Sequence, residues 1–119
     1  MNWYLAKIIF RILCGDGNHT GQFDVQLRLI RAADKDEAFH KATQTGLKEE
    51  ETFFNQNQKL VQWKFINIAE LYKLSELIDG ATLYSRIEES DHPDYYTSTV
   101  HKKAEQIHSG NSLELLDLV

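Results

Sequence analysis

The chain has one cysteine and one proline in 119 residues. One cysteine excludes a disulfide framework, a thiolate zinc cage and a CxxC redox pair. Basic side chains are also scarce: 13 Lys and Arg face 18 Asp and Glu, for a formal net charge of -5. Such a chain lacks the basic stripe that neutralises phosphates, so nucleic acid is not an expected partner. No apolar run approaches the roughly eighteen residues of a membrane span, so no membrane partner is expected. The apolar opening Met1–Phe10 has no basic residue ahead of it, and Lys7 and Arg11 interrupt the apolar stretch, so it does not read as a signal peptide. These absences together predict a cytoplasmic protein in which Cys14 is a reduced thiol acting as a small hydrophobe.

What is present is enough for a core. Hydrophobic residues make up 42% of the chain, and a single domain of this size, 1–119, buries about two-thirds of its unfolded surface. The charge is uneven, with 1–47 near neutral and 48–119 acidic, the runs being Glu49-Glu50-Glu51 and Glu88-Glu89 with Asp91. Such runs read as solvated surface, with a basic partner as the alternative.

Tyr4, Ala6, Ile8, Phe10, Ile12 and Cys14 alternate along a first strand, and Phe23, Val25, Leu27 and Leu29 along a cleaner, half-buried second one. The turn formers Gly15–Gly21 between them predict an antiparallel hairpin. Asp34 with Glu37 has capping-box spacing and opens a helix to about Thr45, which Gly46 ends or breaks before a further turn through Glu51. Phe53–Gln58 reads as a polar connection anchored by two rings. Val61, Trp63 and Phe65 mark a third strand, and the change of apolar parity at Phe65–Ile68 predicts a β-bulge. Leu83, Tyr84 and Ile87 suggest a short fourth strand. Ser90, Asp91 and Pro93 start a second helix with Tyr96, Val100, Ala104 and Ile107 on one stripe, and the apolar tail 113–119 is expected to dock. The expected class is α+β, a mainly antiparallel four-stranded sheet in ββαββα order with two helices packed on one face. Apolar residues on the second face of strands one and three then suggest a partner surface, most simply a homodimer.

The pieces Trp3-Tyr4-x-Ala6-Lys7, Ala32-x-Asp34-x-x-Glu37-Ala38, Asn55 ahead of Val61-x-Trp63-Lys64-Phe65, Tyr72 with Leu74, and Gly80 leading into Tyr84-Ser85-Arg86 resemble a short bacterial family catalogued as a domain of unknown function (family 4288). The resemblance covers residues 3–88 as a ββαββ unit and leaves the C-terminal helix and apolar tail, 89–119, as the chain's own extension. It implies a small stand-alone cytoplasmic domain and carries over no catalytic residue.

Asp16–Gly21 imitates the first half of a calcium loop, but the twelfth position is Leu27, so a hairpin turn is the better reading. His101, Glu105 and His108 fall on one helical face at spacings zinc can use, although an exposed polar face is the simpler account and no metal is expected. No GxSxG elbow, phosphate-cradling loop or dinucleotide fingerprint occurs, so no cofactor and no catalytic residue is assigned. The candidate binding residues are Trp3, Lys7, Arg11, Trp63, Lys64 and Asn67, with Lys7, Arg11 and Lys64 forming a basic spot if they share a face. The expected function is a non-enzymatic protein-binding or assembly module acting as a homodimer. The alternative is a small ligand-binding or hydrolytic protein with a pocket between the first helix and the third strand, near Lys64, Phe65 and Asn67.

Overall fold

A computed structural model describes residues 1–110. The chain divides into two compact units, Met1–Ser85 and Arg86–Val119. The first holds β1 (Asn2–Cys14), β2 (Gln22–Ala32), α1 (Lys35–Lys48), β3 (Glu51–Phe54) and β4 (Leu60–Leu74); the second holds α2 (Pro93–His108). The order is ββαββα, and the four strands form one antiparallel sheet in the order β2-β1-β4-β3. The α+β class therefore stands.

β1 is central because it is apolar on both faces, and the inner strands of a sheet lose water on both. Its even row, Tyr4, Ala6, Ile8 and Phe10, is buried with Ile30 and Ala32 of β2 and with Ala38 and Ala42 of α1. α1 approaches closely because its inward row is small: Ala38, Ala42 and Gly46 recur every fourth residue and are buried. The Asp34 carboxylate accepts from the Glu37 N–H at 2.8 Å and starts the helix. Gly46 lies inside the helix, which runs on to Lys48, and does not end it. The Phe65 ring occupies the space a Cβ would need there, and it meets Phe10 edge-on at 6.1 Å.

The expected change of face in the third strand is real and occurs twice along β4. Phe10 pairs with Phe65 but Ile9 with Asn67, so Ile66 is extra; Ile8 pairs with Ile68 but Lys7 with Glu70, so Ala69 is extra. These bulges keep Trp63, Phe65, Ile68 and Leu71 all packed against the core in spite of their uneven spacing.

Two expectations are corrected. Residues 83–87 form no strand; the fourth strand is β3, whose backbone pairs with Leu60–Trp63 around the turn at Asn55. The Asn55 side-chain oxygen accepts from the Asn57 and Lys59 N–H groups, and this turn chemistry creates the hairpin although Phe53 and Phe54 stay exposed. The second correction concerns β2. Its apolar row Phe23, Val25, Leu27 and Leu29 faces away from α1 and is 41–55% exposed. The reason is register: Leu27 opposes Lys7 and Val25 opposes Ile9, so this row continues the odd face of β1. Towards the helix side β2 presents Asp24, Gln26 and Arg28, joined in a chain of side-chain hydrogen bonds that Trp63 Nε1 enters at Asp24 (3.1 Å) and that ends in the Arg28–Glu49 ion pair.

α2 begins at Pro93, and none of its residues is buried. The apolar tail expected to dock, 113–119, lies outside the described residues.

Gly46→Ala should lower stability, against the usual gain of up to about 1 kcal/mol for removing a helical glycine, because overpacking against Phe65 costs roughly 1–3 kcal/mol. Urea denaturation reads the sign, and Phe65→Leu in the same chain should recover part of the loss.

Candidate functional site

The sheet face opposite α1 is not covered by this helix. Cross-strand register lays it out in rows: Arg31–Trp3–Leu74, Leu29–Leu5–Tyr72, Leu27–Lys7–Glu70, Val25–Ile9–Asn67 and Phe23–Arg11–Lys64. From Phe23 to Leu29 the β2 side is thus an apolar stripe, and from Lys64 to Tyr72 the β4 side is polar or charged. β1 alternates between the two characters.

The end of this face near Trp3 is covered. Leu5 and Leu74 are buried there, and the chain after β4 folds back so that the Tyr84 ring meets Tyr72 edge-on at 5.5 Å. Lys7 Nζ lies 5.6 Å from the Tyr84 ring centre and forms an ion pair with Glu70 at 2.5 Å. Glu70 also accepts from the Tyr72 hydroxyl. That hydrogen bond, followed by partial desolvation and the Glu70 charge, pushes the Tyr72 phenol up to about 12. The Arg31 guanidinium stands 5.7 Å over the Trp3 ring.

Five of the six candidate binding residues share this face. Trp3 and Lys7 lie at its covered end, with Arg11, Lys64 and Asn67 further along. Arg11 directly opposes Lys64, so the three basic residues do share a face, although Lys7 is already matched by Glu70. The sixth, Trp63, is on the helix side, where it packs against the core and donates to Asp24. Lys64 and Asn67 likewise point away from Phe65, whose ring fills the contact with Gly46. The three residues of the alternative pocket therefore do not surround one space.

Sequence reasoning missed the stripe on β2 because alternation reports that a strand has two unlike faces without saying which one the helix covers. It weighed Asp16–Gly21 only as half a calcium loop and not as the mouth of the β1–β2 hairpin, an open concavity of about 650 Å³ lined by Cys14, Asp16, Asn18, His19 and Lys59 among others. His19 Nε2 accepts from the Cys14 N–H at 3.0 Å, which leaves Nδ1 to donate to the Thr20 carbonyl at 2.8 Å. The Asn55 amide lies 3.7 Å from the Cys14 sulfur. In the loop that resembled a calcium site, Asp16 accepts from the Asn18 N–H and Gly15 and Gly17 take positive φ, the marks of a tight turn.

In the second unit, His101, Glu105 and His108 border one shallow concavity with Ala104 and Ser109. Among the described residues no three His, Cys, Asp or Glu side chains come together as a metal site would require. Glu88 is held below the usual carboxylate range, first by Arg86 at 2.5 Å and then by the Tyr96 hydroxyl at 3.3 Å. Among the described residues no helix is long and apolar enough to cross a membrane.

In comparison with known proteins, a family model described as a domain of unknown function (DUF4288) matches residues 3–85. Neither the curated proteins nor the solved structures give a match.

An alkaline titration followed by tyrosinate absorbance should show one of the five tyrosines ionising near pH 12, and Glu70→Gln should bring it back towards the ordinary value. The folded state holds this proton more tightly than the unfolded chain. Its contribution to stability is therefore complete below the ordinary value of 10.0 and is lost as pH rises through about 12.

Proposed function

The chain belongs to the DUF4288 family, matched over residues 3–85, and on that premise we propose that it is a non-enzymatic protein-binding or assembly module that works as a cytoplasmic homodimer. The observation that carries this reading is the exposed row Phe23, Val25, Leu27 and Leu29 on an otherwise ordered sheet face. A contiguous apolar stripe bordered by polar residues is the usual form of a protein contact surface. Its border here is mixed in charge, with Arg11 and Lys64 at one end and the Lys7–Glu70 pair nearer the other. Such a border orients a partner more than it adds affinity.

The alternative, a small ligand-binding or hydrolytic protein, would draw on Lys64 and Asn67 from one face of the sheet and Phe65 from the other. The chemistry nearest to it is the polar hairpin mouth with Cys14 and His19. There the His19 nitrogens are both engaged with backbone groups, so the ring is tied into the turn.

Light scattering should give the mass of a dimer, and an environment-sensitive apolar dye should bind the protein. Val25→Glu with Leu27→Glu should abolish dye binding and reduce the mass to that of a monomer, while leaving the far-ultraviolet circular dichroism nearly unchanged, since both side chains are about half exposed. A strict monomer would overturn the homodimer, and dye binding unaffected by the substitutions would remove the stripe as the contact surface.

A further inference from the structure

The apolar stripe does not lie in the middle of the sheet. It runs along β2, which is a free edge. Edge strands present a row of backbone donors and acceptors without ladder partners, and proteins normally blunt them by shortness, bulges, proline or lysine. β3, at the other edge, is blunted by shortness, with four residues. β2 has eleven residues, pairs with β1 without a register break from Asn2–Ala32 to Ile12–Gln22, and contains neither proline nor lysine. Resting on the homodimer reading above, we propose that two copies associate through their β2 edges, antiparallel about a two-fold axis at Gln26, to form one continuous eight-stranded sheet.

The charges of β2 choose both the partner and the register. In an antiparallel pair related by a two-fold axis normal to the sheet, opposed residues lie on the same face. Centring on Asp24 or on Arg28 sets like charges against each other. Centring on Leu27 places Asp24 against the partner's Ile30 and Phe23 against the partner's Arg31. Centring on Val25 leaves Asp24 against the partner's Gln26 and Arg28 against the partner's Gln22. Centring on Gln26 places Asp24 against the partner's Arg28, and Arg28 against the partner's Asp24. The same register sets Val25 against the partner's Leu27 and Phe23 against the partner's Leu29, so the two apolar stripes join into one. Unlike charges and apolar pairs directly across a ladder are the favourable arrangements.

A second observation fixes how far the pairing extends. The Lys41 ammonium donates to the Arg31 carbonyl, which closes the edge at that end. The stretch left open is Gln22–Ile30, and the register centred on Gln26 uses all of it, pairing Gln22 with the partner's Ile30. The longer register centred on Leu27 would need Arg31 as well. The inward charges Asp24 and Arg28, which deter unrelated strands, keep Trp63 and Glu49 as partners within the chain, and in the Gln26-centred register each also stands opposite a charge of the other sign.

Single cysteines in the full chain carrying Cys14→Ser test this directly, with dilute copper-phenanthroline oxidation as the probe and sedimentation on the reduced samples. Gln26→Cys should form a covalent dimer, as should a mixture of Val25→Cys and Leu27→Cys chains. Leu29→Cys alone should fall at least about tenfold lower, because two copies of that position lie roughly 20 Å apart in this register, six residues along the ladder. A dimer that cross-links at Leu29 but not at Gln26, or at none of these positions, would overturn the β2 edge pairing and leave the homodimer standing. A monomer in the reduced Cys14→Ser chain would overturn both.

Discussion

The registry of β1 between its two neighbours is the constraint on which the rest depends. Its even row supplies the buried centre of the first unit, including Ile8 and Phe10, the largest fully buried side chains. Everything α1 covers is aligned to that row, and everything on the odd row is consigned to the other face. The side-chain period of a strand is two, so a slip of one residue in either ladder would exchange the faces of a whole strand. The two bulges of β4 are local solutions to the same constraint. Each lets the chain skip a residue so that Ile68 and Leu71 return to the helix side.

The polar chain on the helix side of β2 follows from how little of the sheet one fourteen-residue helix can cover. α1 seals β1 and the Ile30–Ala32 end of β2 with small residues, and beyond its reach the β2 row becomes Arg28, Gln26 and Asp24. These groups satisfy one another and join the sheet to Trp63 on one side and to Glu49, the residue after α1, on the other. A partly buried charged chain of this kind stabilises only while each member keeps its partner. It also gives Trp63, one of the candidate binding residues named from sequence, a hydrogen-bond partner on the helix side of the sheet.

Much of this fold was legible because it is written in short-range chemistry. The hairpin, the Asp34 cap and the parity change near Phe65 each depend on a few adjacent residues, and each appears where expected. The missed elements depend on partners distant in sequence. β3 is a strand because β4 returns beside it after the Asn55 turn, and Glu51–Phe54 alone has too little alternation to reveal it. Tyr84 has strand-like neighbours, yet its ring is occupied with Tyr72 and Lys7. The face of β2 was ambiguous for the same reason: alternation is symmetrical, and only the register with β1 decides which row meets the helix. Of the candidate site, the shared face of Lys7, Arg11 and Lys64 was readable from parity once the bulge was placed after Phe65. The weight of the apolar stripe on β2 was not.

That stripe is therefore better understood as a retained feature than as an accident of packing. Burying a valine, leucine or phenylalanine is worth roughly 1.5–3 kcal/mol, and four half-exposed side chains in a row forgo a substantial part of that. A one-residue change of phase in β2 would send them under α1 and turn Asp24, Gln26 and Arg28 to water. The sequence instead keeps the costly arrangement over an unbroken eleven-residue ladder, with the polar row hydrogen-bonded from Asp24 to Arg28 and no proline or lysine at the edge. Lys41 donates to the Arg31 carbonyl and closes the edge there, beside the stretch from Gln22 to Ile30. A surface that is apolar, bounded and placed at a sheet edge has the physical form of a specific contact, and the pattern of charges within it suits a second copy of the same strand.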